Sequence, residues 1–171
     1  MTTKKGIFLI VFIFMAVLAG CGYRFVGGGS FPAGIKSVFV EIFQNKSAEV
    51  GLENTITRDL LFEITRKESV VLEGRENAEA ILSGVITEVT LAPASRRGET
   101  VSVERRATVK LDLKLTKASG KVVWTAKGLS ANEVYPVGAG NQATEENKKE
   151  ALALLSKRFS EIIYNQLTSD F

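Results

Sequence analysis

The clearest pattern in the chain is a strict alternation of apolar and polar residues over 101–115. The apolar side chains stand at odd positions and the polar ones at even positions. This period of two predicts a strand with one buried face. Arg105 is the exception, because it places a charge on the apolar side near the start of the strand. Apolar runs of β-branched and aromatic residues predict further strands over 37–43, 69–72, 80–91 and 121–134.

Two glycines interrupt the predicted strands. Gly84 lies inside the strand over 80–91, where a missing side chain indicates a bulge or the close approach of another group. In the strand over 121–134, the apolar positions change from even to odd at Gly128. A phase change of one residue at a glycine predicts a β-bulge.

Two segments have helical spacing instead. Over 49–67, leucine and isoleucine recur every four residues, and Ser47 is placed to cap the helix. Over 144–171, a stripe of large apolar residues follows two glutamates, with Thr144 as the predicted cap. The order β-α-β-β-β-β-α predicts an α+β fold, in which two helices pack on one face of a mostly antiparallel β-sheet. Three consecutive hairpins are expected to join the last four strands.

The N-terminus has the features of a bacterial lipoprotein signal. Two lysines precede thirteen apolar residues, and the sequence Leu18-Ala19-Gly20-Cys21 ends the segment. Thirteen residues form only about 20 Å of helix, short of the roughly 30 Å hydrocarbon core of a bilayer. We therefore predict a signal peptide over 1–20, lipidation at Cys21, a flexible tether over 21–35 and a single domain over 36–171.

The residue after the cysteine and the charge balance indicate where the domain resides. Gly22 stands where an aspartate commonly retains lipoproteins at the inner membrane. We therefore expect attachment to the outer membrane through two or three acyl chains, with the domain facing the periplasm. Without residues 1–20, the chain has 20 basic and 19 acidic residues. A net charge near zero gives no general attraction to nucleic acid, so any anion binding needs a local patch.

The composition also narrows the chemistry. The chain contains no histidine, which removes the commonest general base and the commonest metal ligand. Ser-His-Asp and Cys-His catalysis are thereby excluded, and no pair of acids is placed for carboxylate chemistry. We predict no catalytic residue, no metal site and no cofactor, and therefore a protein that is not an enzyme.

One cationic cluster is a candidate ligand site. Arg96 and Arg97 lie at the tip of the hairpin predicted between the third and fourth strands, and Arg105 and Arg106 begin the fourth strand. Such guanidiniums suit bidentate contacts with phosphate or carboxylate, and arginine beside an apolar face suits an anionic amphiphile. The alternative is a solvated tip whose charges protect the strand edges. The sheet face without helices is a further candidate docking surface.

The order and spacing of several segments resemble the LptE family of lipopolysaccharide-assembly lipoproteins. These segments are residues 21–25, Phe43-Gln44-Asn45, Gly51-Leu52-Glu53, the long alternating strand and the acid-led C-terminal helix. The resemblance implies two helices on a sheet of about four strands. It also implies a non-enzymatic partner that forms a 1:1 complex with the outer-membrane β-barrel LptD, stands in its lumen as a plug and accepts lipopolysaccharide.

The resemblance extends to the ligand site. Basic residues near the hairpin tip are implicated in lipopolysaccharide contact in the family, so Arg96, Arg97 and Arg106 form the predicted lipopolysaccharide site. A lysine that some members carry before the last helix is not matched, because Lys148 and Lys149 stand a turn later. Two other functions stay open: a lipoprotein pilot or scaffold for another envelope machine such as a secretin, and a stand-alone lipid-binding lipoprotein.

Overall fold

The computed structural model of the protein describes residues 31–97 and 101–169. A short 3-10 turn at Pro32–Gly34 precedes six strands and two α-helices. These are β1 (Ser37–Val40), β2 (Gln44–Asn45), α1 (Leu52–Lys67), β3 (Val71–Leu72), β4 (Ala80–Arg97), β5 (Val101–Lys117), β6 (Val122–Pro136) and α2 (Asn141–Ser169). The α+β class is confirmed, and the predicted order differs only by the added two-residue β2.

The strands form one mixed sheet in the order β3-β1-β4-β5-β6, with β2 also paired to β4. The three long strands β4, β5 and β6 are joined as antiparallel hairpins. In contrast, β1 pairs in parallel with both β3 and β4. The expected hairpin between the second strand and the third is therefore wrong. Helix α1 reverses the chain between β1 and β3, so the two short strands run in the same direction.

Both helices pack on one face of this sheet. Five consecutive odd positions of β5 are at most 3% exposed: Ala107, Val109, Leu111, Leu113 and Leu115. They share a hydrophobic core with the apolar stripe of α2, which consists of Leu155, Phe159, Ile163 and Leu167. The predicted phase of the strand is confirmed, and the opposite face of the sheet carries no helix of the described chain.

The two helices run parallel to each other. The Ser156 hydroxyl donates a hydrogen bond to Asp59 at 2.5 Å, and the Tyr164 hydroxyl donates to Ser69 at 2.7 Å. Ser69 follows the end of α1, so residue numbers in α1 and the segment after it increase together with those in α2 at these contacts. The N-termini of the two helices therefore lie at the same end of the domain.

The predicted cap of α1 is wrong. The N-cap is Gly51, with φ of 90°, and this residue offers no side chain to cap the helix. Ser47 lies in the preceding turn, where its hydroxyl accepts from the Glu49 N–H at 3.3 Å. The carboxylate of Glu53 in the first turn instead accepts from the Gly51 N–H at 3.1 Å, which places negative charge at the positive end of the helix.

The predicted cap of α2 is also displaced. Thr144 lies inside the first turn of a helix that begins at Asn141. Its hydroxyl donates to the Gly140 carbonyl at 3.0 Å and accepts from the Gly138 N–H at 3.0 Å. Thr144 therefore fastens the loop after β6 to the start of α2.

Both glycines of the strands have the predicted kind of role. A Cβ at Gly84 would come within 2.7 Å of the Phe43 ring, so the glycine permits close packing. Gly128 has φ of +66° at a register shift between β5 and β6. Its N–H donates to the Asp112 carboxylate at 2.8 Å, as an extra residue in a β-bulge allows.

The folded domain begins earlier than the sequence indicated. Phe31 and Ile35, which were assigned to the tether over 21–35, are 1% and 4% exposed and belong to the core. The predicted signal peptide and Cys21 lie outside the described residues. Within 31–97 and 101–169, no helix is both long enough and apolar enough to cross a membrane.

We expect Leu113→Ala to lower the free energy of unfolding by about 2–5 kcal/mol, as truncation of a buried leucine does. Lys114→Ala, on the exposed side of the same strand, should have almost no effect. Urea unfolding of both variants measures the difference. Equal losses for the two variants would contradict the phase of β5.

Candidate functional site: the cationic hairpin

Strands β4 and β5 form an arm that extends past the helices. They contain 18 and 17 residues, which corresponds to about 55–60 Å of strand. Leu82 and Ile86 of β4 are fully buried, Leu91 is half-buried, and Pro93 on the same face of the strand is exposed. The arm therefore leaves the hydrophobic core near Pro93 and continues towards the predicted arginine site.

Arg96 and Arg97 lie at the described end of this arm. Their backbones pair with β5, Arg96 opposite Ser102 and Arg97 opposite Val101. The antiparallel pairing predicted on either side of the tip is therefore present, and residues 98–100 lie outside the described chain.

Arg106 lies further down the arm. It stands opposite Ala92 of β4 and Val134 of β6. It lies four positions after Ser102, which is about 13 Å along the strand. Arg106 is exposed and makes no ion pair with a described residue, so its guanidinium is available to a ligand.

Arg105 lies on the other face of β5. It stands opposite Tyr135 of β6 and is half-buried on the helix side. The pKa of Glu145 is lowered mainly by its hydrogen bond with Lys148 and to a smaller extent by the charge of Arg105. Arg105 and Arg106 therefore belong to opposite faces, and the four arginines do not form a single lobe.

The helix-free face near Arg106 also contains a paired lysine. Lys110 Nζ donates to Glu88 at 2.7 Å, and the Thr90 hydroxyl donates to the same carboxylate at 2.7 Å. Both hydrogen bonds lower the pKa of Glu88, and the one from Lys110 is the larger cause. Lys110 is neutralised locally, which distinguishes it from Arg106.

Lys148 has a structural position at the helix N-termini. It is 13% exposed and forms ion pairs with Glu145 at 2.7 Å and with Glu49 at 3.2 Å. The hydrogen bond with Glu145 is the largest cause of its raised pKa. Lys148 therefore joins the start of α2 to the loop before α1. The next residue, Lys149, is exposed.

The arrangement is suited to binding anions. The exposed guanidinium of Arg106 can contact a phosphate without disturbing the core. Among the described residues, no group of three or more Cys, Asp or Glu side chains is placed to hold a metal ion. A groove on the helix-free face was not predicted from the sequence. It is lined in part by Ile42, Lys114 and Lys127.

Three solved structures of bacterial lipoproteins have a similar fold. Lipoprotein B from Nitrosomonas europaea has 16% identity and a TM-score of 0.62, covering 86% of this chain and 91% of its own. A minor lipoprotein from Acinetobacter baumannii has 14% identity and a TM-score of 0.57, covering 80% and 92%. Rare lipoprotein B from Shewanella oneidensis has 9% identity and a TM-score of 0.54, covering 74% and 93%. At these identities the likeness shows the fold.

The sequence itself shows the family. The chain belongs to the LptE family of lipopolysaccharide-assembly proteins, whose family model matches residues 35–167. No curated protein matches the chain in sequence. The match spans both helices and all six strands, apart from the last two residues of α2.

Proposed function

We propose that this protein is an outer-membrane lipoprotein, acylated at Cys21, that forms a 1:1 complex with an LptD-like β-barrel and helps deliver lipopolysaccharide to the cell surface. It acts as a plug and assembly partner, and it catalyses no reaction. The observation that carries the proposal is the family match over residues 35–167.

The dimensions of the arm support this proposal. The whole length of β4 and β5, including the part packed beneath the helices, is about 55–60 Å and exceeds the roughly 30 Å hydrocarbon core of a bilayer. A domain held at the periplasmic leaflet and enclosed in a barrel lumen can therefore present the hairpin tip near the outer leaflet. Arg96, Arg97 and Arg106 would then meet the phosphates of lipopolysaccharide inside the barrel, away from bulk solvent.

The experiment that tests the proposed function is affinity purification of the mature lipoprotein from outer membranes. We expect an LptD-like barrel to copurify in equimolar amount. Because binding stabilises the folded partner by mass action, depletion of this protein should also lower the amount of correctly folded barrel. An unchanged barrel level, or copurification of a secretin ring, would contradict the proposal.

The membrane anchor is tested at Cys21. Cys21→Ala removes the only thiol in the chain, so acylation should cease and the protein should leave the membrane fraction. Ser30→Ala, outside the signal motif, is the control and should remain membrane-bound. Mass spectrometry of the N-terminal peptide measures acylation. An unmodified Cys21 in membrane-bound wild-type protein would rule out this anchor.

The ligand site is tested by reversing its charge. In the triple variant Arg96→Glu, Arg97→Glu and Arg106→Glu, lipopolysaccharide binding should fall by about ten-fold or more, because attraction becomes repulsion. Barrel association and thermal stability should be unchanged, since the arm end lies outside the core. The loss should diminish at high salt, where exposed charges are screened.

The matched control carries the same charge change on the helices. Arg58, Lys149 and Lys157 are exposed residues of α1 and α2, and their replacement with glutamate should leave lipopolysaccharide binding within about two-fold of wild type. Arg105 is kept intact in both variants, because it is half-buried beside Glu145. If the arginine variant binds as tightly as wild type at low salt, the tip is only a solvated turn.

A further inference from the structure

The helix-free face of the sheet contains a groove of about 800 Å³, which lies within the range of pockets that hold small molecules, roughly 300–1,000 Å³. One side of the groove is formed by β1, β4 and the segment between β1 and β2, and the other side by β5 and β6. None of Arg96, Arg97 and Arg106 lines it. The groove is therefore a different surface from the cationic hairpin.

The side formed by β1 and β4 carries an apolar strip that consists of Phe39, Ile42 and Val85. Phe39 and Val85 are half-buried, and Ile42 is 67% exposed. Ile42 stands on fixed backbone, because the N–H of the residue before it donates to a carbonyl of β4 at 2.9 Å and the N–H of the residue after it donates to a hydroxyl of α1 at 3.1 Å. An alkyl chain laid on this strip removes apolar surface from water at little cost in ordering.

The side formed by β5 and β6 carries charges of both signs. Lys114 and Lys127 are exposed and form no ion pair with a described residue. Asp112 lies two residues before Lys114 on the same face of β5, about 7 Å along the strand. Its carboxylate accepts from the Gly128 N–H at 2.8 Å, which fixes it beside β6 but leaves its charge and further lone pairs available. Two cations and one anion are therefore displayed together.

The boundary between the apolar and charged sides runs between β4 and β5. Val85 stands opposite Asp112 across this boundary, one strand spacing or about 4.8 Å away. On the apolar side, Glu41 and Arg75 form an ion pair with each other, and the Arg75 guanidinium lies over the Phe39 ring at 6.0 Å. The unpaired charges are thus confined to β5 and β6. The groove has the polarity of an amphiphile, with an alkyl side and a headgroup side.

We propose that this groove binds one molecule of a phospholipid whose headgroup contains both a phosphate and a primary ammonium, as in phosphatidylethanolamine. An acyl chain lies on the apolar strip, the phosphate pairs with Lys114 and Lys127, and the ammonium donates to the Asp112 carboxylate. A purely anionic headgroup is repelled by Asp112, and a quaternary ammonium has no N–H to donate to it. This lipid site goes beyond the proposed function, which concerns lipopolysaccharide at the hairpin.

The test uses the mature chain with Cys21→Ala, which removes the predicted anchor outside the described residues and avoids a detergent that would compete for the groove. The probe is dihexanoyl phosphatidylethanolamine below its critical micelle concentration, compared with its choline and glycerol analogues. Isothermal titration calorimetry measures each Kd, and amide shifts in ¹⁵N NMR locate the site. The ethanolamine lipid should bind saturably, shift the Ile42 and Lys127 amides, and bind about five-fold more tightly than the other two, as a solvent-exposed ion pair allows.

Free phosphoethanolamine separates a lipid site from a site for the headgroup alone. It has the same phosphate and ammonium but no acyl chain. We expect it to bind more than about ten-fold more weakly than the dihexanoyl lipid, because it buries no CH₂ groups on the apolar strip. Equal binding of the two would show that the groove recognises a small phosphate compound and would contradict the proposal.

Asp112→Asn tests the recognition of the ammonium. The amide oxygen can still accept from the Gly128 N–H, so the bulge should be kept while the negative charge is lost. This variant should bind the glycerol lipid at least as tightly as the ethanolamine lipid, which reverses the order expected for the protein with Asp112. Its thermal stability should show that the fold is intact.

The remaining variants test the phosphate and the chain. Lys114→Gln with Lys127→Gln should weaken the binding of all three lipids by about five-fold or more. Ile42→Ser should weaken binding without changing thermal stability, because the side chain is already exposed. Lys149→Gln with Lys157→Gln makes the same charge change on α2 and should bind the lipids as the parent chain does.

Three further results would overturn the proposal. The first is equal binding of the ethanolamine and glycerol lipids to the parent chain, or no saturable binding of any lipid. The second is an Asp112→Asn variant that keeps the preference for ethanolamine. The third is a loss of binding caused by Arg106→Glu instead of the lysine variant, which would assign the lipid to the arm. None of these outcomes bears on whether the barrel copurifies.

Discussion

The burial of one face of the β4–β5 hairpin beneath two parallel helices is the interaction on which the rest of the structure depends. Five alternate side chains of β5 lose essentially all contact with water, and the stripe of α2 covers them. Since apolar burial is the largest favourable term in folding, this contact sets the strand register. It also decides which side chains face outwards, including Arg106 and Lys114.

Most of the fold could be predicted because its signals are local. The alternation in β5 and the helical stripe of α2 each identify an element and its buried face, and Gly128 marks a bulge through a change of phase. The parallel pairing of β1 with β3 could not be predicted in this way. Two residues of strand carry no period, and their partner is chosen by the path of α1 and by packing between distant segments.

The binding surfaces were predictable to different extents. Sequence placed Arg96 and Arg97 at a hairpin and Arg106 on its polar side. It could not show that Lys148 forms an ion pair with Glu49, because those residues are 99 positions apart in the chain. The groove was harder still. Its lysines come from two strands whose register depends on the bulge at Gly128, and Ile42 is exposed only because Phe43 turns into the core.

The end of the arm and the core of the domain can unfold separately. Beyond Pro93 no described residue of β4 belongs to the hydrophobic core, so opening of the hairpin end breaks strand hydrogen bonds but exposes little of the core. Such opening is a local event, with a free energy well below that of global unfolding. Substitutions at the tip and in the core are then energetically independent. Sequence change at the tip can alter ligand contacts while the stability of the domain stays the same.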